Sequence, residues 1–407
     1  MRYHSRLNGD NMKIGYFIGH FPYINRLNTP KYIKEYAHGG TEMAAYNLAN
    51  KIAKMGNEID IFTTSIDSKD SLEIYPHMKI HRHPTTLKIA SANASLKLIY
   101  NPLNYDLDII HAHSPIPYSD LPALLYAKRK KIPFLLTYQY DGQETGGSFI
   151  RNTGVSIYNK FFINRVLDAA EVIIATTKSY ANESPFLKGY KDKIKIIPNG
   201  INLKEVTTSS TKEESRNILG LPDDTNIILF VGSLVPYKGP DILLKAFKIV
   251  QKEFSNVKLI FAGRGPMLDE LYDLSKRLDL EDDITFAGFV DEEQKPLYFK
   301  SSDIFCLPST TMAESFGIVN LEAMASGIPI VSSNLGGIPD IVNHEKIGLL
   351  AEPSDIRGIA DSLIRLLEDK KLRKKMGDNG RSIVNNYTWD KIAKETENLY
   401  KSILENK

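Results

Sequence analysis

The chain has 407 residues, more than one ordinary core holds, and domains usually run to about 100 to 200 residues, so two large domains are expected. Hydrophobic residues make up 42% and charged residues 25%, as in a globular protein, and a formal charge of +2 gives no electrostatic case for a nucleic-acid partner while leaving a phosphate-bearing small molecule open. Cys306 is the single cysteine, which excludes an intrachain disulfide and a cysteine-based zinc site and reads as an intracellular chain.

From the N-terminus, MRYHSRLNGDN lacks the apolar core of a signal peptide, and Met12, directly before KIGYFIG, is an alternative start. No run of about 18 apolar residues follows, so a cytoplasmic location is expected. The first half then alternates strand-like runs with helical patterns: KIGYFIG, a helix over TEMAAYNLANKIAKMG, EIDIFTTS, LDIIHAHS, a helix over SDLPALLYAKRKK, IPFLLTY, EVIIATTKS and IKIIPNG. Continuous apolar strands imply burial on both faces, as in a parallel sheet covered by helices. The stretch NGINLKEVTTSSTKEESRN is polar and strandless, which places a hinge near Asn199 to Val206. The second half repeats the scheme with NIILFVGS, VKLIFAGRG, ITFAGFV, DIFCLPS and IPIVSSN. The closing segment carries Trp389, Ile392, Leu399 and Ile403 at helical spacing, a stripe that must pack on something.

This pattern predicts an α/β protein of two facing, doubly wound Rossmann-like domains with a cleft between them. The expected bounds are 12–200 and 201–385, with a final helix over 386–407 crossing back toward the first domain. Ligands of open α/β sheets bind outside the carboxyl ends of the strands. In the second domain those ends include CLPSTTMAESFGIVNLEAMASG. Its predicted helix mouth, Phe316, Gly317, Ile318 and Val319, offers free N–H groups and a positive dipole to an anion. Glu314 stands before that helix and Glu322 about one turn inside it. Two such acceptors flanking a diphosphate fit a nucleotide-sugar, one carboxylate for the sugar and the other for the ribose. A solvated helix charge plus a loop cap is the bland reading.

Across the same sheet, VGSLVPYKGP puts Lys238 between Gly232 and Gly239, where an ammonium neutralises a diphosphate or is only a surface lysine in a turn. FAGRGPM brings Arg264 to another strand end, to touch the nucleotide or to sit in a plain turn. In the first half, Gly39 and Gly40 precede a helix, and His111 and His113 project to one side of a strand end. A core histidine is the default for either; His113, last before the Ser-Pro break, is the better functional candidate. Lys128 to Lys131 form a basic helix end whose main reading is solvation and whose lesser one is contact with a membrane surface. Cys306 reads as core.

The set HGGTE, DIIHAHSP, PNGIN, VGSLVPYKG, AGRGP and ESFGIVNLEAMASGIPIVSSNLGGIPDIV resembles the retaining nucleotide-sugar glycosyltransferases of family 4, with GT-B architecture, over about residues 12 to 385. The glutamate pair separated by seven residues is its most specific part. The resemblance implies that Glu314 contacts the donor sugar hydroxyls, Glu322 the ribose, and the amides of Phe316 to Val319 the sugar and diphosphate. It implies that Lys238 stabilises the leaving diphosphate, that Gly39 and Gly40 form the loop over it, and that His113 contacts the donor sugar. It also implies no metal and no cofactor. Two departures stand out: Ser233 occupies the place of a common family arginine, leaving Arg264 or another cation to substitute, and Gln139 and Tyr140 stand where relatives often carry a histidine.

The reaction so implied moves a hexose from a UDP- or GDP-sugar to an acceptor hydroxyl with retention, the acceptor being a lipid-linked sugar, a glycan or a small metabolite. A nucleotide-sugar epimerase would need strand-end carboxylates in the first domain, where Asp141 and Glu144 are the main candidates. A non-catalytic nucleotide-sugar binding module draws on Ser233.

Overall fold

The structure is a computed structural model that describes residues 11–26, 39–66, 69–89, 92–114, 117–142 and 149–406. Glu144 and the residues leading into the Gly39–Gly40 turn lie outside them. The chain divides into two compact units, one ending at Asn199 and taking back the segment from Trp389, the other running Gly200–Thr388.

In the first unit, β1 (Lys13–Phe17), β2 (Glu58–Thr64), β3 (Ser71–Tyr75) and β4 (Met78–His83) are followed by a small antiparallel ribbon of β5 (Leu87–Ile89) and β6 (Ala92–Ala94), and then by β7 (Ile109–Ser114), β8 (Phe134–Tyr138), β9 (Val172–Ala175) and β10 (Ile194–Ile196). The main sheet has the order β10-β9-β8-β7-β1-β2-β4-β3 and is parallel except for the edge strand β3. Strand order reverses direction between β1 and β7, so the carboxyl end of β7, where His113 lies, is a topological switch point.

Sequence reading passes over β3 and β4, and composition explains why. MKIHRH looks like a polar loop, yet its last four residues are buried. The cost of burial is met by partners: His81 bonds Asp60 at 2.7 Å, and Arg82 bonds Glu73 and the carbonyl oxygens of Phe21 and Pro22.

The helix Trp389–Glu405 packs in the first unit's core, with Trp389, Ile392, Tyr400, Ile403 and Leu404 buried among residues of β1, β2 and the helix Gly40–Lys54. Burying each large apolar side chain contributes about 1.5–3 kcal/mol. The Tyr400 hydroxyl closes a buried chain with the Tyr16 hydroxyl at 2.9 Å and His111 Nδ1 at 2.6 Å.

The second unit holds β11 (Asn226–Val231), β12 (Val257–Ala262), β13 (Ile284–Gly288), β14 (Ile304–Leu307), β15 (Ile330–Ser333) and β16 (Gly348–Ala351). All are parallel, in the order β13-β12-β11-β14-β15-β16, which is the dinucleotide-fold order with its switch point between β11 and β14. Strands β14 and β15 are buried throughout, so they read as unbroken apolar runs. Edge strand β16 is only four residues long and escapes a pattern search. Both units are therefore doubly wound α/β domains, as the sequence predicts.

Candidate active site

The loops after β11 and β14 flank the second unit's switch point, and each carries one member of an ion pair. Lys238 ends a short 3₁₀ turn, Pro236–Lys238, before the helix Pro240–Glu253. Its stem lies on Gly232, whose φ of 147° favours glycine and where an added Cβ would come within 3.3 Å of Lys238 Cδ. Lys238 Nζ donates to Glu314 Oε2 at 2.5 Å, the two side chains being 14% and 12% exposed. Burial is the strongest single influence and lowers the lysine pKa, but the Glu314 carboxylate, with Tyr237 and Glu322 adding to it, holds the ammonium above its usual value. Sequence reasoning assigned Lys238 and Glu314 separate duties, whereas here each neutralises the other.

The helix Ile318–Ser326 begins on Gly317, which adopts φ 70° and ψ 58°. Only glycine takes this left-handed conformation readily, and it aims the first turn's amides out of the helix end. Among the described residues the amides of Phe316, Gly317, Ile318 and Val319 donate to no backbone acceptor. The Phe316 side chain is core, 2% exposed, so its backbone is the part available to a ligand.

Glu322 is buried with one oxygen paired and the other free of partners: Oε1 accepts from Lys295 Nζ at 2.9 Å, and Oε2 has none. Burial raises the Glu322 pKa, while Lys295 works against that rise. Sequence reasoning missed Lys295. The signal was there: DEEQKPLY puts a lysine at the first position of the helix Lys295–Ser301, the end where the dipole disfavours a cation unless acids surround it. Ser309 Oγ, both amide atoms of Asn320, and Ser333 Oγ are also buried without partners. Orphaned polar atoms are uncommon in folded proteins, and these gather around the carboxyl ends of β14 and β15 and the first turn after Gly317.

Ser233 is exposed in the β11 loop. Arg264 is exposed in the β12 loop with its guanidinium 4.8 Å from the centre of the Phe289 ring. The glycines beside it serve a different purpose from ligand approach: a Cβ on Gly263 would fall 1.8 Å from Gly232 O, so the two loops stack backbone on backbone.

The remaining predicted residues belong to the first unit. Gly39 caps the helix Gly40–Lys54, and its N–H donates to Glu42 Oε2 at 3.0 Å; both glycines are exposed. The His113 ring is 1% exposed, stacks on Tyr16 and His111, and has both nitrogens unpartnered. Burial drives its pKa down to about 3, so it is a neutral imidazole at working pH. His111 is saturated by Tyr400 and by Thr137 Oγ1 at 2.6 Å, the ordinary core histidine. Gln139 exchanges two amide hydrogen bonds with Asn199, at 3.0 and 3.3 Å, which fixes the last residue of the first unit's main segment. His113 lines a cavity of about 20 Å³ with Thr137, Gln139, Asn199 and Trp389, room for about one water.

A larger cavity of about 330 Å³ in the second unit, beside Leu203, Lys300 and Arg381, contains none of the predicted site residues. Lys128 to Lys131 are all exposed, and Lys130 pairs with Asp106 at 3.0 Å. Cys306 is buried. Among the described residues no cluster of three or more His, Cys, Asp or Glu side chains is placed to hold a metal ion, and no helix is long and apolar enough to cross a membrane.

Two doubly wound units, with a cation and free helix amides at one switch point, define the GT-B class of glycosyltransferase. Residues 38–205 match the model of Glycosyltransferase Family 4, and residues 211–383 that of Glycosyl transferases group 1. An uncharacterized glycosyltransferase of Methanocaldococcus jannaschii is 31% identical over 379 residues, covering 90% of this chain and 95% of the relative. The O-antigen chain mannosyltransferase C of Escherichia coli is 27% identical over 375 residues, covering 91% and 96%. Among solved structures, Anabaena HepE in complex with UDP-glucose superposes with a TM-score of 0.74 over 96% of this chain and all of that one, at 19% identity, a likeness of fold. The chain belongs to the family 4, group 1 glycosyltransferases.

Proposed function

We propose that the protein transfers a hexose from a UDP- or GDP-sugar to an acceptor hydroxyl with retention at the anomeric carbon, without a metal ion or other cofactor. The observation that carries this reading is the Lys238–Glu314 pair beside the Gly317-capped helix at the switch point. Departure of the diphosphate places negative charge on its β-phosphate. Lys238 and the amides of residues 316–319 are preorganised for that charge, a kind of stabilisation worth about 3–4 kcal/mol per donor removed. Glu314, once the phosphate takes its place as the partner of Lys238, accepts from sugar hydroxyls, and Glu322 accepts from the ribose. His113 and the Gly39–Gly40 turn, at the first unit's own strand ends, are proposed as the other substrate contacts. The acceptor attacks from the face the diphosphate leaves, and the leaving phosphate takes the acceptor proton.

The relatives support a sugar donor of this type: one is a mannosyltransferase, and a structural neighbour is seen in complex with UDP-glucose. The acceptor is proposed as a lipid-linked sugar, glycan or small metabolite, handled in the cytoplasm, with the exposed Lys128–Lys131 run as the contact to any anionic membrane.

The test is incubation of the purified protein with UDP- and GDP-sugars, with and without candidate acceptors and in the presence of EDTA, following nucleotide release and the anomeric configuration of the product. Acceptor-dependent release giving a retained anomer supports the reading. Inversion, or loss of turnover in EDTA, overturns the corresponding part.

A further inference from the structure

Glu322 is 8% exposed and its two carboxylate oxygens are in unlike states. Oε1 receives Lys295 Nζ at 2.9 Å, while Oε2 is buried and unpartnered. A lysine that served only to neutralise a buried acid leaves a costly orphan acceptor one atom away. Lys295 itself is seated firmly. Its N–H donates to Asp291 O at 2.9 Å, the neighbouring Gln294 N–H to Asp291 Oδ1 at 2.8 Å, and Pro296 and Phe299 anchor the turn in the core. Its ammonium also meets Glu292 at 2.7 Å, but that side chain is 79% exposed and well hydrated, so Glu322 is the demanding partner.

We propose that Lys295 is a positioning residue: by engaging Oε1 it locks the Glu322 carboxylate in one rotamer and presents Oε2 as the acceptor for the donor's ribose hydroxyls. This rests on the reading of Glu322 given above. Lys295 then acts chiefly on recognition of the nucleoside, because the direct ion pair of Lys238 is with Glu314 and not with Glu322.

The experiment compares wild type, Glu322→Ala, Lys295→Met, Lys295→Gln and Lys295→Arg. Calorimetry measures binding of UDP and GDP against their 2′-deoxy counterparts, and donor kinetics are taken on the same preparations. Wild type is expected to prefer the ribonucleotide by about tenfold or more, the worth of a hydrogen bond to a charged group. In Lys295→Met and Lys295→Gln that preference falls to about twofold and the donor KM rises about 10- to 100-fold, with kcat within about threefold; Lys295→Arg restores both. The Gln variant, polar but uncharged and one bond too short to engage Oε1 as Lys295 does, carries the comparison if the Met variant does not fold. Unchanged ribose preference in the Lys295 variants, with Glu322→Ala impaired, overturns the role of Lys295 alone. An unimpaired Glu322→Ala overturns the ribose contact and the proposal with it.

Discussion

Lys238 Nζ and Glu314 Oε2 close a 2.5 Å bond across 76 residues of sequence, joining the loops after β11 and β14. Both groups are largely buried, so removing one strands the other. Lys238→Met and Glu314→Gln are each expected to cost about 3–5 kcal/mol of unfolding free energy, and the double variant less than their sum. Urea titration of the four proteins checks this; additive losses mean that the pair does not act as a unit.

For turnover, Glu314→Ala is expected to abolish transfer while nucleoside diphosphate still binds. Lys238→Ala is expected to lower kcat by about 10²- to 10³-fold and to weaken donor binding as well. Steady-state nucleotide release and calorimetry separate the two effects. Unchanged kinetics in Lys238→Ala reduce it to a structural lysine.

Gly317→Ala combines two penalties. The left-handed conformation costs a residue with a Cβ about 1–2 kcal/mol, and that Cβ would stand 2.5 Å from Asn320 Nδ2. The first turn after residue 317 should shift and the donor KM rise, with overall helix content, read by circular dichroism, unaltered.

The first unit is expected to be acid-sensitive through its buried imidazoles. Burial lowers the pKa of His20 to about 4 and of His113 to about 3, from 6.5. A depressed folded-state value means that the unfolded chain binds protons first, so stability is intact above pH 6.5 and is lost as pH falls toward 4 and then 3. Thermal melting between pH 7 and 4 should show a shallower decline for His113→Gln than for wild type.

Tyr400→Phe should destabilise the first unit by about 1–3 kcal/mol, because it leaves the Tyr16 hydroxyl and His111 Nδ1 short of a buried partner. A midpoint equal to wild type would mean that apolar packing of the helix Trp389–Glu405 suffices without the polar chain.

Much of the architecture was legible because parallel strands buried on both faces write themselves as apolar runs, and β11, β12, β14 and β15 do so. Among the strands the sequence hid was β4, whose His81, Arg82 and His83 look solvated until Asp60, Glu73 and Asp70 are brought beside them. Of the second unit's predicted site residues, the Glu314–Glu322 element was visible as a local motif on one strand, turn and helix. Lys295 stood out in sequence only as a cation at a helix start; its pairing with Glu322, 27 residues away, exists only because two helices pack together.

Local order in the sequence was thus enough to settle the alternation of strands and helices, the glycine at position 317 and which carboxylates stand at strand ends, because these depend on periodicity and on backbone geometry over a few residues. Which charges meet was decided only in three dimensions. Lys238 reaches Glu314 and not Glu322, and Glu322 keeps one oxygen bonded and one bare, because pairing in a buried site is set by distances of a few ångströms between elements far apart along the chain.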